Sequence, residues 1–357
     1  MKKTKVYKIL AVILILQWAF IQLLAMHPKL IELYYTNGLY KIISTILRVL
    51  LGWIPFSIGD IFYFVVIILL IINVYKLIKF RKIQLKPTFF KAVGIFSVFV
   101  FFFNFNWGLN YLREPLTSVL GISNSPYSTN ELIVFTKKLI NKTNDIHYQI
   151  SKNDTIVIAN PSSKKQLRSM AFDAYKQLEV HNPTFKYNHF SVKSSLFSVP
   201  LTYMGFAGYL NPFTNEAQVN YLIPKNDYPA TVCHEMAHQI GIASESGANF
   251  VGYLAAINSK DYYFKYAGYV MALKYCLFEV YKKNPSEYET LKKSINKGIL
   301  KDMQQNQNFW KSYQNWSEKY FKGFYNSFLK ANKQKDGIKE YNKMVFLLIN
   351  YYKSHKF

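Results

Sequence analysis

Three stretches of this chain are too long and too apolar for ordinary core helices, and they constrain everything else about it. Residues 9–26 are apolar except for Gln17 and Gln22, and follow Lys2, Lys3, Lys5 and Lys8. Residues 61–77 (IFYFVVIILLIINVYKL) and 92–112 (AVGIFSVFVFFFNFNWGLNYL) are the other two. A helix needs roughly 20 residues to cross about 30 Å of hydrocarbon, so each is read as a membrane span. The first lacks a small-x-small cleavage site and is expected to stay as an anchor.

Charge sets the expected orientation. The connection 76–91 holds Lys76, Lys79, Arg81, Lys82, Lys86 and Lys91 without one acid, whereas 27–60 holds only Lys29, Lys41 and Arg48 as basic residues. The positive-inside rule then puts the N-terminus and the 76–91 loop in the cytoplasm. Everything after 112 is expected on the far side of that membrane, outside the cytoplasm. Residues 39–51 (LYKIISTILRVLL) gather Lys41, Ser44, Thr45 and Arg48 on one stripe, the pattern of a helix lying in the interface. The lipid bilayer is thus the first expected partner.

The net charge of +24 divides almost evenly, with +11 in residues 1–111 and +13 in the remainder. With four Arg against 40 Lys it reads as solvated lysine faces, and no nucleic-acid motif accompanies it. Cys233 and Cys276 both sit in apolar helical text and are expected as buried thiols, not a disulfide.

Beyond the spans, the turn-rich stretch 113–128 reads as a linker and 129–357 as one domain. Helices are expected at 129–144 and 162–180, then strand text from about 185 with a reversal at NPFTN, residues 211–215. From 228 onward the pattern is helical, at 229–240, 244–257, 260–283, 285–299, 306–332 and 337–353. Strands followed by a run of helices give an α+β domain with a small sheet.

The chemistry concentrates in TVCHEMAHQIGIASESGANF, residues 231–250. His234 and His238 are four apart, so on a helix both imidazoles reach one cation, while Glu235 lies about 100° round, beside the ion. Two neutral imidazoles and a carboxylate form the usual catalytic zinc shell, with one position left for water. Glu235 is placed as the general base on that zinc-bound water. Gly241 supplies a helix stop, a new helix begins near Ser244, and Glu245 in its first turn is the expected third ligand of a single zinc ion. Asn249, one turn on, is expected to hydrogen-bond to Glu245. By composition an HExxH arises by chance about once in two hundred such chains.

The pattern HExxH followed by ExxAN resembles the gluzincin metallopeptidases, which include membrane-embedded prenyl-protein and heat-shock proteases and antibiotic-sensing antirepressor proteases. In these the glutamate of the ExxA motif is the third zinc ligand. More closely, YYTNGLYKIISTILRVLLGWIPFSIGD, WGLNYLREPL, MGFAGYLNPFTNEAQVN, HEMAHQIGIASESGANFVGYL and FLKANKQKDGIKEYNKMV resemble a family of bacterial membrane proteins, domain of unknown function DUF 3810. That family's third motif often carries a second acid two residues after the first, where this chain has Gly247.

The resemblance implies a protein of a bacterial inner (cytoplasmic) membrane with a mostly helical zincin-like domain, periplasmic or extracellular. It also implies that a strand edge ahead of the HExxH helix pairs with an extended peptide or protein substrate, for which Met204, Gly205, Phe206, Ala207, Gly208 and Tyr209 are the candidates. Tyr262, Tyr263, Tyr266 or Tyr269 are candidate donors to the oxyanion. The expected activity is a membrane-anchored zinc metallopeptidase. The alternatives are a metal-containing membrane sensor or scaffold, and a hydrolase of a cell-wall or lipid-linked amide.

Overall fold

The computed structural model describes residues 2–80, 84–334 and 341–357 of the 357-residue chain. Three helices near the N-terminus, α1 (Lys2–Ala25), α3 (Ile58–Phe80) and α4 (Leu85–Asn106), are long and apolar enough to cross a membrane. Helices α1 and α4 pack on each other, and the Gln17 amide donates to the Ser97 hydroxyl at 3.2 Å between them. Helix α3 stands apart over its middle, where residues 67–72 are all exposed. Six successive residues at 100° steps point right round a helix, so no described element covers that stretch. Arg81 and Lys82 of the basic connection lie outside the described residues.

The third apolar helix ends at Asn106, not at 112 as expected. Gly108–Leu112 forms a 3-10 turn in which Asn110, Tyr111 and Leu112 are buried against the domain. The polar groups of Trp107 and Asn110 find partners there that hydrocarbon would not offer.

After α1 the chain turns at His27 and runs on as one helical stretch, π-helical over Ile31–Leu39 and then α2 (Tyr40–Leu51). Tyr40, Ser44 and Arg48 are buried on the protein side, while Ile42, Ile46, Val49 and Leu50 are exposed. Lys41 of the expected polar stripe is exposed instead of joining them. The Arg48 guanidinium lies 4.8 Å over the Tyr187 ring, which compensates a buried charge through the ring's negative face.

The rest of the chain is mostly helical with one small mixed sheet. Helices α5 (Thr129–Ser151) and α6 (Lys164–His181) each open with a reciprocal capping box, Ser128 with Glu131 and Ser163 with Gln166. Residues 113–128 are not a free tether, since Thr117 and Ile122 are buried and a helical turn spans Leu116–Leu120. The sheet has the order β1-β3-β2, with β1 (Val192–Ser194) parallel and β2 (Gly208–Leu210) antiparallel to β3 (Ala217–Val219).

The expected edge segment 204–209 is only partly strand. Met204 ends helix α7 (Ser198–Met204), and Gly205 closes it at φ +78. Phe206 and Ala207 lead into β2, so only Gly208 and Tyr209 lie in it. The reversal is at Asn211–Asn215, where the Asn211 side chain accepts from the Phe213 amide at 2.9 Å.

Helices α8 (Tyr228–Gln239), α9 (Glu245–Asn258) and α10 (Tyr262–Lys283) fall close to expectation. The text at 285–332 resolves into three helices instead of two: α11 (Pro285–Lys293), α12 (Lys297–Ser312) and α13 (Glu318–Ala331). Local side-chain bonds make the breaks, as where Asn315 accepts from the Ser317 amide at 2.9 Å. Helix α14 is Tyr341–Ser354, and residues 337–340 of its expected start lie outside the described residues. The core gathers α5, α6, α8, α9, α10 and α14, with Cys233 and Cys276 buried in it as free thiols.

Two buried carboxylates join the domain to the N-terminal end of α3. Glu216 accepts from the backbone amides of Ile58 at 3.2 Å and Gly59 at 2.6 Å, capping that helix. Asp60 accepts from the Ser195 hydroxyl at 3.0 Å, the Leu196 amide at 2.6 Å and the Tyr209 hydroxyl. Removing Asp60 strands three buried donors, so Asp60→Ala is expected to cost about 2–4 kcal/mol. Thermal unfolding followed by tryptophan fluorescence in detergent measures it, and a loss below about 0.5 kcal/mol contradicts the assignment.

Candidate metal centre

Helix α8 starts with Pro229 in its first turn, where a missing N–H costs nothing. It ends in a Schellman turn: the Ile242 amide donates to the Ala237 carbonyl at 3.1 Å and the Gly241 amide to His238 at 2.9 Å, with Gly241 at φ +87. Side chains from the segments next to the apolar helices meet the His238 carbonyl a second time and two further carbonyls of this end. Trp107 donates to His238 at 3.1 Å, Tyr40 to Gln239 at 2.9 Å and Arg113 to Gly241 at 2.9 Å. Arg113 is fixed in turn by a bidentate pair with Glu32, at 2.8 and 2.7 Å.

The chain then reverses into α9, whose N-cap Ser244 accepts from the Gly247 amide at 3.2 Å. Helix α9 crosses α8 closely enough that a Cβ on Gly252 would meet the His234 amide nitrogen at 2.8 Å. That crossing brings Glu245 over the two histidines.

The hydrogen bonds fix both imidazole tautomers. The His238 Nδ1 lies 2.7 Å from the Ile242 carbonyl, which can only accept, so Nδ1 carries the proton. The His234 Nδ1 lies 2.9 Å from the Asn249 Oδ1, while the Asn249 amide donates to Tyr275. Both Nε2 lone pairs therefore face inward, 3.1 Å apart. The Glu245 carboxylate adds oxygens at 3.4 Å from His234 and 3.6 Å from His238. The Tyr325 hydroxyl donates to that carboxylate at 2.5 Å.

Three acceptors converge with no donor between them, an arrangement that a cation or a shared proton must neutralise. Ligand bonds of about 2.0–2.2 Å in a tetrahedron place ligand atoms roughly 3.3–3.6 Å apart; the two histidine–carboxylate distances, each to its own Glu245 oxygen, fall in that range, and the distance between the imidazoles is shorter. His234, Glu235 and His238 also offer ligand atoms within 4.8 Å of one another. The tighter set is His234, His238 and Glu245, with Glu235 beside it.

Ionisation follows the same geometry. Burial opposes charge on Glu245, yet the His234 hydrogen bond and the nearby His238 hold its carboxyl down at about 2. Burial lowers His238 to about 4. Burial also opposes charge on His234, but the bond to Glu245 and the Glu235 carboxylate raise its pKa. A metal ion taking this place would compete with a proton for that nitrogen. Burial, aided by the Glu245 charge, pushes Glu235 up to about 8. Its Oε2 is buried and has no hydrogen-bond partner among the described residues.

His234, Glu235, His238 and Glu245 thus come together, and Asn249 joins them by a different contact: it holds His234, not Glu245. An acid at position 247 would point away, because a Cβ there meets the Ser244 hydroxyl and Ile242 at 2.6 and 3.0 Å. Gly208 passes beside Glu235, where a Cβ would meet Oε1 at 2.6 Å.

The expected tyrosines lie elsewhere. Tyr266 bonds to Asp302, Tyr269 packs on Tyr253, Tyr263 lies on the core and Tyr262 is exposed. A tyrosine at the centre is Tyr325, from α13, whose hydroxyl is spent on Glu245, and nothing marked it among 29 tyrosines. A cavity of about 650 Å³ opens behind the 242–246 turn, but neither histidine nor Glu235 lines it. Asn249→Ala frees the His234 ring and is expected to weaken divalent-metal affinity about 10–100-fold. Competition against a chromogenic chelator, with helicity checked by circular dichroism, measures this, and unaltered affinity contradicts it.

No curated protein and no solved structure matches the chain. A family model does match it, over residues 35–349, a range that holds the second and third apolar helices, the sheet and the whole centre. The chain belongs to the family described as "Protein of unknown function (DUF3810)".

Proposed function

We propose that this chain is a membrane-anchored, zinc-dependent metallopeptidase that hydrolyses peptide bonds outside the cytoplasm. One observation carries the reading: the triangle of acceptors at His234, His238 and Glu245 stands beside a second buried acid, Glu235, whose Oε2 has no partner. A metal held only for structure needs ligands but no such acid, so Glu235 favours catalysis over a sensor or scaffold. Two imidazoles and one carboxylate suit zinc with an open position, as in the gluzincin enzymes that the HExxH and ExxAN text resembles.

When bound, zinc supplies Lewis-acid polarisation of the scissile carbonyl and acidifies water. Glu235 removes a proton from the attacking water, and the cation's charge favours the ionised form that burial disfavours. It then delivers that proton to the leaving amine. Asn249 and the Ile242 carbonyl keep both Nδ1 positions occupied, so each Nε2 stays a ligand. Tyr325 orients Glu245.

Strand β2 offers the substrate its backbone. The Asn220 amide donates to Ala207 and the Asn211 amide to Glu216, so Ala207, Tyr209 and Asn211 face β3. The N–H and C=O of Gly208 and Leu210 therefore face away from it, ready to pair with an extended chain. The absent side chain at Gly208 leaves room for Glu235.

Lys76, Lys79, Lys86 and Lys91, at the ends of the spans remote from the domain, favour an extracytoplasmic site. Metal analysis and turnover on a degenerate peptide pool test the reading. Wild type is expected to carry zinc near one per chain, Glu235→Gln to keep it with turnover lost by at least about a thousandfold, and His234→Ala to lose it. Purified wild type without metal would end the proposal. Gly208→Val, whose side chain runs into Glu235, is expected to lose turnover while retaining zinc; full activity would remove β2 from the site.

A further inference from the structure

We infer that the substrate is a polypeptide anchored in the same bilayer, cut within a few residues of where its own apolar segment leaves the membrane. This rests on the peptidase reading above and names its substrate class.

The centre is built onto the outer ends of the apolar helices, not carried above them. Trp107 is the first residue after α4, and its ring lies 6.1 Å from the His238 ring. Tyr209, in the edge strand, donates to Asp60 in the first turn of α3 and stacks on Tyr63, with ring centres 6.1 Å apart.

The turn that follows β2 goes deeper. The Phe213 ring lies 5.2 Å from Phe62 and 4.5 Å from Phe99, one ring from each of two apolar helices. Phe99 is seven residues before the end of α4, which at 1.5 Å per residue is about 10 Å below it. The Phe213 ring at the tip of the β2–β3 hairpin therefore reaches down beside the apolar helices, while Asn211 and Glu216 of the same turn meet the first turn of α3, and β2 runs on past Glu235.

A headgroup layer is roughly 5–8 Å thick on each face, so both Glu235 and the free edge of β2 lie at that height. An extended chain rises about 3.3 Å per residue, so an anchored substrate reaches this level roughly two residues after its span. A soluble peptide meets the same edge only by entering the headgroup layer, without the effective concentration that a shared membrane confers. In the reaction the water oxygen bonds to the carbonyl carbon, the C–N bond breaks, and the amine leaves with the proton that Glu235 carries.

The test uses the full zinc-loaded chain in bilayer discs. One pool of substrates has a single apolar span followed by a degenerate outer segment; a second pool is that segment alone as soluble peptides. Mass spectrometry locates the cuts, and Glu235→Gln gives the background. The expected result is cuts clustered within about five residues of the span, and turnover of the soluble pool at least about tenfold slower. Cuts spread evenly along the segment, or equal turnover of the soluble pool, overturn this inference and leave the peptidase reading standing. No Glu235-dependent cut in either pool overturns both.

Discussion

The last turn of α8 is where the membrane-proximal part of this protein and its candidate centre become one structure. A helix end leaves up to four carbonyls without partners, and burying them unmet is costly. Here the Schellman turn at Gly241 meets part of that need, and Trp107, Tyr40 and Arg113 meet the rest from residues next to the apolar helices. His238 is in that turn, its own carbonyl held by Trp107 and its ring held by the Ile242 carbonyl of the same reversal. Displacing the segment next to the apolar helices would therefore disturb a candidate ligand, not merely a surface.

The same economy governs the other contacts between domain and apolar helices. They are polar: Asp60, Glu216, Lys193 and Arg48 are all buried at this junction. Isolated buried charges are prohibitive, but each of these is surrounded by donors, carbonyls or a ring. Glu216 faces a helix N-terminus, Lys193 donates to the Gly52 carbonyl at 2.7 Å, and Arg48 lies on Tyr187. Apolar side chains, by contrast, point outward, from Ile42 to Leu50 along α2 and on α3. Polar inside and apolar outside is the pattern expected of segments facing hydrocarbon.

Within the centre the decisive feature is electrostatic mismatch. Two imidazole lone pairs and a carboxylate meet at 3.1–3.6 Å, each oriented by a separate hydrogen bond that keeps it there. Nothing in ordinary packing favours that convergence. Glu235 adds a fourth acceptor held apart from the triangle, and Gly208 keeps the space over it open. The Glu235 carboxylate stands apart from the three acceptors, with its Oε2 unpartnered among the described residues.

Much of this was legible in the sequence, where local physics decided. Length and apolarity marked the three apolar helices, helical periodicity put His234 and His238 on one face, and Gly241 marked the turn that swings Glu245 back. Failures came where partners are distant. Asn249 is one turn from Glu245, which suggested that contact, yet the crossing of α8 and α9 hands it to His234. Met204–Ala207 read as strand because apolar alternation does not reveal that Gly205 ends a helix. Tyr325, 80 residues from Glu245, and Trp107, 131 from His238, have no local mark at all. The sequence by itself determined the residue types and spacings that a short helix converts into geometry. Only the tertiary structure decided which distant groups orient them, how near the apolar helices they stand and what neutralises their ends, because those depend on how helices cross and not on the order of residues along any one.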